Sequence, residues 1–497
     1  MQAYRTLERR FARLSRLGDA LGILGWDKET TMPLGAAESR GETIATLSVM
    51  AHELLTASET GALLQQATEE ESDGLDRWQS ANLREMRRQH AHATAVPGDL
   101  VEAASRASTA SEIVWRQARE ASNFTLLLPR LSEVLETQRA IGVAKGEALG
   151  LSPYDALLDQ YDPGTTQAFV DPVFGTLRGF LPGLVTEVLE RQARRAPPLP
   201  MRGPFPVAAQ KALGERLMQA AGFDPSRGRL DVSTHPFCGG ATQDVRITTR
   251  YDESDFSSAL MGVLHETGHA LYEQGRPASY LDQPVGQARG MTLHESQSLL
   301  IEMQACRGEA FLGFLSPLLQ DAFGDDPAFA RDNLVATYRR VSPGLIRVDA
   351  DEVTYPAHVL LRYELERAMI GGDLALRDLP TAFNDGLHTL LGVTVPDDRR
   401  GCLQDIHWPA GLWGYFPTYT LGAMTAAQLY RAACAAEPAL EPGLAEGDFS
   451  RLTGWLRTSV HQQASVADTA TIVAEATGRP LDAAVYQAHL RQRYLGQ

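Results

Sequence analysis

The chain has 497 residues, 44% hydrophobic and 22% charged, which is the composition of a soluble globular protein. A formal net charge of −16 excludes nucleic acid as a general partner, because phosphate binding needs a basic surface. Four cysteines with no CxxC pair exclude a disulfide scaffold and favour a reduced compartment.

The amino-terminal segment is predicted to be a first structural helix. Apolar residues recur at helical spacing from Leu7 to Leu24, and residues 2–21 carry repeated charge without the apolar core of a signal peptide. No window of the chain approaches the roughly 18 uninterrupted apolar residues of a membrane span. We therefore predict a cytoplasmic protein with no membrane partner.

Most of the remaining chain is also predicted to be helical, because apolar residues recur three or four apart and the segments end at glycine or proline. The clearest segments are residues 99–122, 125–149, 168–195, 207–221, 254–274, 292–316 and 355–370. No composition shift marks a domain boundary. We predict a mainly α fold and a single domain over residues 1–497, with two helical lobes around a cleft.

Two segments depart from the helical pattern. Residues 194–206 are rich in proline and are predicted to form an extended loop. Residues 229–250 contain two alternating strand candidates, 230–234 and 245–249, separated by a turn-like Cys238-Gly239-Gly240. A small β-sheet is therefore predicted immediately before the helix at 254–274.

That helix carries the first chemistry-bearing pattern. Met261–Gln274 reads MGVLHETGHALYEQ, so His265 and His269 lie one turn apart on one face. Two imidazoles so placed can bind one zinc ion, and Glu266 can hold and deprotonate the zinc-bound water. The alternative is a helix that merely contains two histidines, but the surrounding apolar residues would bury these polar groups, which is costly unless they bind a metal.

A catalytic zinc needs a third protein ligand and one open position. A metzincin site would place a histidine six residues after the second histidine, where this chain has Gly275. The other known pattern takes its third ligand from a second helix, and His294 and Glu295 both stand at the start of one. The residues alone leave either as the ligand. Glu273 is less suitable, because it lies two turns beyond the first histidine.

Two segments place an arginine among acidic residues. The first, Asp244 to Thr248, includes Arg246 on the predicted strand before the zinc helix. As an edge strand it could pair with an extended peptide, or Arg246 could simply pair with Asp244. In the second, Arg347 could grip a substrate carboxylate in bidentate fashion or pair with acids at a helix start.

Residues 401–422 are dense in aromatic side chains, glycine and proline. Packing is the ordinary role of such tryptophans. Asp405 and His407, together with Tyr415 and Tyr419, also offer polar groups suited to substrate contacts or to an oxyanion. Spacing alone does not decide which of them serves.

Six short motifs follow one another along the chain. They are His235-Pro236-Phe237, Asp244-x-Arg246-x-Thr248, His265-Glu266-x-x-His269, His294-Glu295-Ser296-Gln297, Ile346-Arg347-x-x-Ala350-Asp351 and Gly401-x-x-Gln404-Asp405-x-His407-Trp408. In this order they resemble the M32 family of metallocarboxypeptidases, the carboxypeptidase Taq family. With Trp26-Asp27 and the segment from Tyr154 to Gly164, the resemblance spans residues 26–422.

The resemblance implies a zinc carboxypeptidase that releases single residues from the free C-termini of peptides, with broad specificity. It points to Glu295, and not His294, as the third ligand beside His265 and His269, with Glu266 as the base. It also implies a long deep groove, a small sheet beside the zinc, a homodimer, and activity with zinc or cobalt.

The same resemblance implies roles in substrate binding. Arg347 is the candidate for gripping the terminal carboxylate, with Arg246 as a second candidate. His407 and Tyr415 look like contacts to the substrate or the transition state.

Two other functions compete with this interpretation. An oligoendopeptidase could use the same kind of helical cleft without holding the terminal carboxylate. A non-catalytic helical binding protein could retain zinc structurally, but structural sites usually have four ligands and often cysteines, and they do not need Glu266.

Overall fold

The computed structural model describes residues 1–497 and consists mainly of α-helices. The first nine helices are α1 (Gln2–Thr30), α2 (Ala37–Thr56), α3 (Ser58–Glu70), α4 (Arg77–Thr94), α5 (Gly98–Glu120), α6 (Phe124–Leu149), α7 (Pro153–Asp159), α8 (Gln167–Ala193) and α9 (Val207–Ala220). Three strands follow, β1 (Gly228–Val232), β2 (Cys238–Ala241) and β3 (Asp244–Thr249).

Eleven further helices complete the chain. They are α10 (Phe256–Gly275), α11 (Gly290–Leu299), α12 (Glu309–Phe323), α13 (Arg331–Tyr338), α14 (Tyr355–Gly371), α15 (Leu379–Leu391), α16 (Pro417–Ala436), α17 (Leu440–Leu444), α18 (Ser450–Ser459), α19 (Thr469–Thr477) and α20 (Ala483–Leu495). The prediction of a mainly α fold with a small sheet is confirmed. None of these helices combines the length and apolar character needed to cross a membrane.

One predicted helix is interrupted. The segment 292–316 divides into α11, a π-helical turn at Leu300–Ala305, and α12, which begins after Gly308. A π-turn inserts an extra residue into the helix but leaves the apolar repeat nearly intact, so the sequence pattern does not reveal it. Such turns frequently occur at functional sites.

The sheet has the order β1-β3-β2, with β1 parallel and β2 antiparallel to β3. Two expectations are therefore wrong. Residues 238–240 belong to strand β2 and not to a turn, because the chain reverses at residues 242–243. The strand that carries Arg246 is central and not an edge, so both of its backbone sides are already paired and it cannot bind a peptide by strand addition.

The sheet lies directly against the helix that carries the histidines. Val245 and Ile247 of β3 pack with Val263 and Ala270 of α10 in one small buried cluster. The edge strand β2 is covered by α1. The two elements lie so close that a Cβ on Gly22 of α1 would overlap the backbone carbonyl of Gly240 in β2. The predicted position of the sheet beside the HExxH helix is confirmed.

Two large hydrophobic clusters form the core. One contains residues of α5–α8, α14 and α15, and the other contains residues of α9–α12, α17 and α18. Helix α16 contributes to both, with Leu421 and Met424 in the first and Leu429 in the second. The organisation as one domain stays a prediction.

Close contact between α10 and α11 depends on Gly268 within the HExxH motif. A Cβ at this position would lie 2.5 Å from the Cα of Ser298. We expect Gly268→Ala to lower the free energy of unfolding by about 1–3 kcal/mol, because the two helices must separate. Chemical denaturation measures this change.

Gly262 in the same helix is the matched control. A Cβ there would have its nearest neighbour, Thr249 Oγ1, at 3.6 Å. Gly262→Ala should therefore be neutral or stabilise the protein by up to about 1 kcal/mol. Equal effects of the two substitutions would show that the helix contact at Gly268 is not tight.

Candidate metal centre and active site

Three side chains from two helices converge on one point. His265 and His269 lie one turn apart on α10, and Glu295 comes from α11. Their candidate ligand atoms all lie within 4.8 Å of one another. Glu295 Oε2 is 3.4 Å from His269 Nε2 and 4.0 Å from His265 Nε2. These donors are the set that a divalent metal such as zinc accepts.

The second nitrogen of each imidazole is already engaged. His265 Nδ1 lies 3.0 Å from Glu302 Oε2, and His269 Nδ1 lies 2.6 Å from His294 Nδ1. Each Nε2 is therefore the nitrogen directed towards Glu295. Hydrogen bonds of this kind fix the orientation of metal-binding histidines and raise their basicity. The residues present thus fit a divalent metal.

The contacts of His294 distinguish it from Glu295 as a candidate for the third metal ligand. The ring of His294 is held between His269 and Glu273, with its Nε2 2.9 Å from Glu273 Oε1. Glu273 in turn pairs with Arg276 at 2.8 Å. His294 and Glu273 therefore support a candidate ligand from behind, and neither belongs to the converging set.

Glu302, on the π-helical turn, supports the other histidine. Its Oε1 pairs with Arg307 Nη2 at 2.5 Å, so Arg307 balances its charge. We expect Glu302→Gln to weaken metal binding about 10- to 100-fold, because the imidazole of His265 loses its charged partner. Competition with a chromogenic chelator measures the affinity.

The matched control for this substitution is Glu364→Gln. Glu364 pairs with Arg178 in a half-buried position on α14. It should bind metal as the unaltered protein does. Equal affinity of the Glu302 and Glu364 variants would exclude a supporting role for Glu302.

Glu266 is buried beside the converging side chains. Its side chain faces the charges of His265 and Glu295, and burial raises its pKa to about 7. A cation held by the neighbouring imidazoles would lower this pKa and keep the carboxylate ionised at neutral pH. A carboxylate so placed can accept a proton from water.

A second polar group is built around Asp405. Arg347 Nη2 lies 2.9 Å from Asp405 Oδ1, and Arg362 Nη2 lies 2.5 Å from Asp405 Oδ2. All three side chains are buried or nearly so. Two cations share one carboxylate, so the group keeps a net positive charge, which a substrate carboxylate can balance.

Two tyrosines contact the guanidinium of Arg347. Arg347 stacks 5.0 Å above the ring of Tyr419, and its Nη1 donates to the Tyr355 hydroxyl at 3.3 Å. Burial, and to a smaller extent the carboxylate of Glu295, raise the pKa of both Tyr355 and Tyr419. Gly422, one turn after Tyr419 on α16, lies against Glu295, where an added Cβ would come within 2.9 Å of the Glu295 Cβ.

His407 and Tyr415 belong to the same cluster. His407 Nε2 lies 3.2 Å from the Tyr419 hydroxyl, and Tyr415 packs edge-on against Tyr419. Burial, together with the charge of Arg347, lowers the pKa of His407 to about 4, so its imidazole is neutral. Its Nδ1 is buried and has no partner within the chain. A substrate group can supply that partner.

Arg246, on β3, takes part in none of these contacts. It pairs with Asp244 at 3.0 Å and stacks 4.5 Å above Trp26 of α1. The ion pair considered from the sequence is therefore present. The structure brings together the other predicted site residues, whereas Arg246 contacts the amino-terminal helix.

Two contributors to the site were missed from the sequence. Glu302 lies seven residues after Glu295, a helical spacing that could have indicated a shared face. Arg362 stands mid-helix with no motif around it, and only the fold brings it to Asp405.

The fold and the site define a helical metallohydrolase whose candidate metal-binding side chains come from an HExxH helix and a following helix. Residues 6–494 match the family described as Carboxypeptidase Taq (M32) metallopeptidase, and the chain belongs to this family. It is therefore a metallocarboxypeptidase.

Similar proteins cover essentially the whole chain. Thermostable carboxypeptidase 1 of Thermus thermophilus is 35% identical, over 99% of this chain and 98% of the relative. Among solved structures, Trypanosoma cruzi metallocarboxypeptidase 1 has a TM-score of 0.97 at 42% identity, over 99% of each chain. The M32 carboxypeptidase of Deinococcus radiodurans R1 has a TM-score of 0.93 at 36% identity, again over 99% of each.

Proposed function

We propose that the protein is a zinc-dependent carboxypeptidase that releases single residues from free peptide C-termini with broad specificity. The observation that carries this proposal is the buried Arg347–Asp405–Arg362 group, whose Arg347 stacks on Tyr419 of α16, the helix that packs against Glu295. Its net positive charge matches one terminal carboxylate. An endopeptidase has no use for such a group beside its metal.

His265, His269 and Glu295 are proposed to hold the zinc. When bound, zinc supplies a Lewis acid that polarises the scissile carbonyl and makes water a better nucleophile at neutral pH. Glu302 and His294 keep the two imidazoles oriented from behind. Cobalt is expected to substitute, because it accepts the same nitrogen and oxygen donors.

Glu266 is proposed to act as the base. It takes a proton from the attacking water and then delivers that proton to the leaving amine. Its burial excludes bulk water from the carboxylate, which strengthens its interactions with the reacting groups.

The substrate carboxylate is proposed to bind Arg347. Its guanidinium is oriented by Asp405 on one side and by the rings of Phe416 and Tyr419 on the other. His407 and Tyr415 are proposed to contact the substrate beside it. Arg246, on the sheet, is the second candidate for that carboxylate.

C-terminal blocking tests the reaction class. A peptide with a free C-terminus should lose residues one at a time from that end, as followed by mass spectrometry, and its amidated twin should not. A metal chelator should stop the reaction and added zinc should restore it. Equal cleavage of both peptides would overturn the exopeptidase proposal in favour of an endopeptidase.

We also propose a homodimer in the cytoplasm. All four cysteines are free, as a reducing compartment would keep them. Sedimentation of the purified protein tests the dimer, and cell fractionation tests the location.

A further inference from the structure

A cavity of about 850 Å³ lies away from the metal site, between the end of α8, α13 and the end of α20. It is lined by five arginines, which are Arg191, Arg195, Arg339, Arg340 and Arg493. Its acidic lining residues are Glu309 and Asp332. None of the proposed metal-binding or substrate-binding residues lines it. A basic cavity is unexpected in a protein with a net charge of −16.

The two acids do not neutralise the cavity, because both already contact an arginine outside its lining. Arg331 lies 2.8 Å from Glu309 and 3.6 Å from Asp332. Glu309 is further shared with Arg339, at 2.9 Å, and the Nε of Arg339 is buried without a hydrogen-bond partner.

The other arginines of the cavity differ in their partners. Arg493 pairs with Glu352 at 2.9 Å. Arg191, Arg195 and Arg340 have no acidic side chain within 4.0 Å. Three unpaired cations therefore face one concave space.

Hydrogen bonds from side chains to the backbone, here called clamps, fix the segments that carry these arginines. Gln192, next to Arg191, makes two hydrogen bonds of 2.9 Å to the backbone of Val341, next to Arg340. This pair fixes the end of α8 beside the end of α13. The clamp therefore fixes the backbone next to Arg191 and Arg340, although the side chain of Arg340 is exposed.

A second clamp fixes the loop that carries Arg195. Asn333 accepts a hydrogen bond of 2.7 Å from the backbone N–H of Leu199 and donates one of 3.1 Å to its carbonyl. Pro197 and Pro198 stiffen the loop between these points. The three unpaired arginines thus come from two segments, the end of α8 with the turn that follows it and the end of α13, and hydrogen bonds tie these segments to one another.

Unpaired arginines are common on solvated protein surfaces. Isolated surface arginines do not, however, repel one another. In this cavity the fold brings several positive charges together in spite of their repulsion. A cavity lined by one sign of charge concentrates the field and attracts counter-ions. Guanidinium groups bind carboxylate and phosphate oxygens in bidentate fashion, and several of them around one cavity favour an anion that carries several charges.

We propose that this cavity is a binding site for a multiply charged phosphate anion, either an inorganic polyphosphate or the polyphosphate group of a nucleotide. The three unpaired guanidiniums would bind successive phosphate groups. The proposal is independent of the peptidase function, because no residue of the metal site takes part.

Calorimetric titration with sodium tripolyphosphate tests the site, at constant ionic strength. The double variant Arg195→Ser/Arg340→Ser should bind at least about tenfold more weakly than the unaltered protein. Both substitutions leave the Gln192 and Asn333 clamps intact. Arg116→Ser, which removes an exposed arginine with no acidic partner on α5, is the matched control and should bind normally.

Tripolyphosphate also chelates divalent cations, including any metal in the active site. Because the unaltered protein and both variants share that metal site, the difference in affinity among them is the measurement. Tighter binding of ATP than of tripolyphosphate would identify a nucleotide, and equal or weaker binding would identify the inorganic anion. No binding by the unaltered protein, or equal binding by the double variant, would overturn the proposal. Unchanged peptidase activity in the double variant would leave the proposed function standing in either case.

Discussion

Replacing Glu266 by glutamine is expected to lower kcat by about 10²- to 10⁴-fold, because a neutral amide cannot take the proton of the attacking water. The substitution keeps the volume of the side chain and leaves His265, His269 and Glu295 in place. Metal content, measured by atomic absorption, should therefore stay close to that of the unaltered protein.

A loss of activity with the metal retained distinguishes a general base from a metal ligand. Glu295→Gln is the informative comparison, because it should lower metal affinity as well as activity. Turnover by Glu266→Gln at the rate of the unaltered protein would exclude Glu266 as the base. Loss of metal from that variant would assign it a ligand role instead.

Arg347→Met is expected to lower kcat/KM for peptides with a free C-terminus by about 10²- to 10³-fold, since truncating one partner of a buried charge pair costs about 2–5 kcal/mol. Methionine keeps much of the apolar contact with Tyr419 and Phe416. Amidated peptides gain nothing from the guanidinium, so their slow cleavage should change little. The ratio of the two rates is the measurement.

Arg246→Met is the matched control on the sheet. Its guanidinium pairs with Asp244 and stacks on Trp26, apart from the Asp405 group. This variant should keep the preference for a free C-terminus. If it loses that preference and Arg347→Met does not, the carboxylate site belongs on the sheet.

The strand region shows where sequence patterns fail. Alternation located both β1 and β3. In β3, Val245 and Ile247 pack against the core, whereas in β1 only Leu230 is buried and Val232 is exposed. The short β2 contains two glycines and has no such alternation. Which strand is central depends on pairing between distant segments, and that pairing leaves no local pattern. The sequence therefore allowed Arg246 to lie on an edge strand that could pair with a peptide, whereas its strand is the central one.

The Asp405 group shows the same limit for charged residues. Arg347 and Asp405 lie in separate motifs, and Arg362 lies in the middle of a third segment. Spacing along the chain does not indicate that two arginines share one carboxylate. Only the packing of α14 against the loop before α16 creates this buried group and its net charge.

The sequence by itself determined the helical class of the fold and the pair of histidines one turn apart with Glu266 between them. Both follow from the period of the helix, which is a local property. The M32 family was also recognisable from the order of its motifs. The tertiary structure alone decided which distant side chains complete the site. Glu295 meets the histidines because Gly268 lets two helices touch, and Glu302 and His294 reach the imidazoles from behind across the same contact.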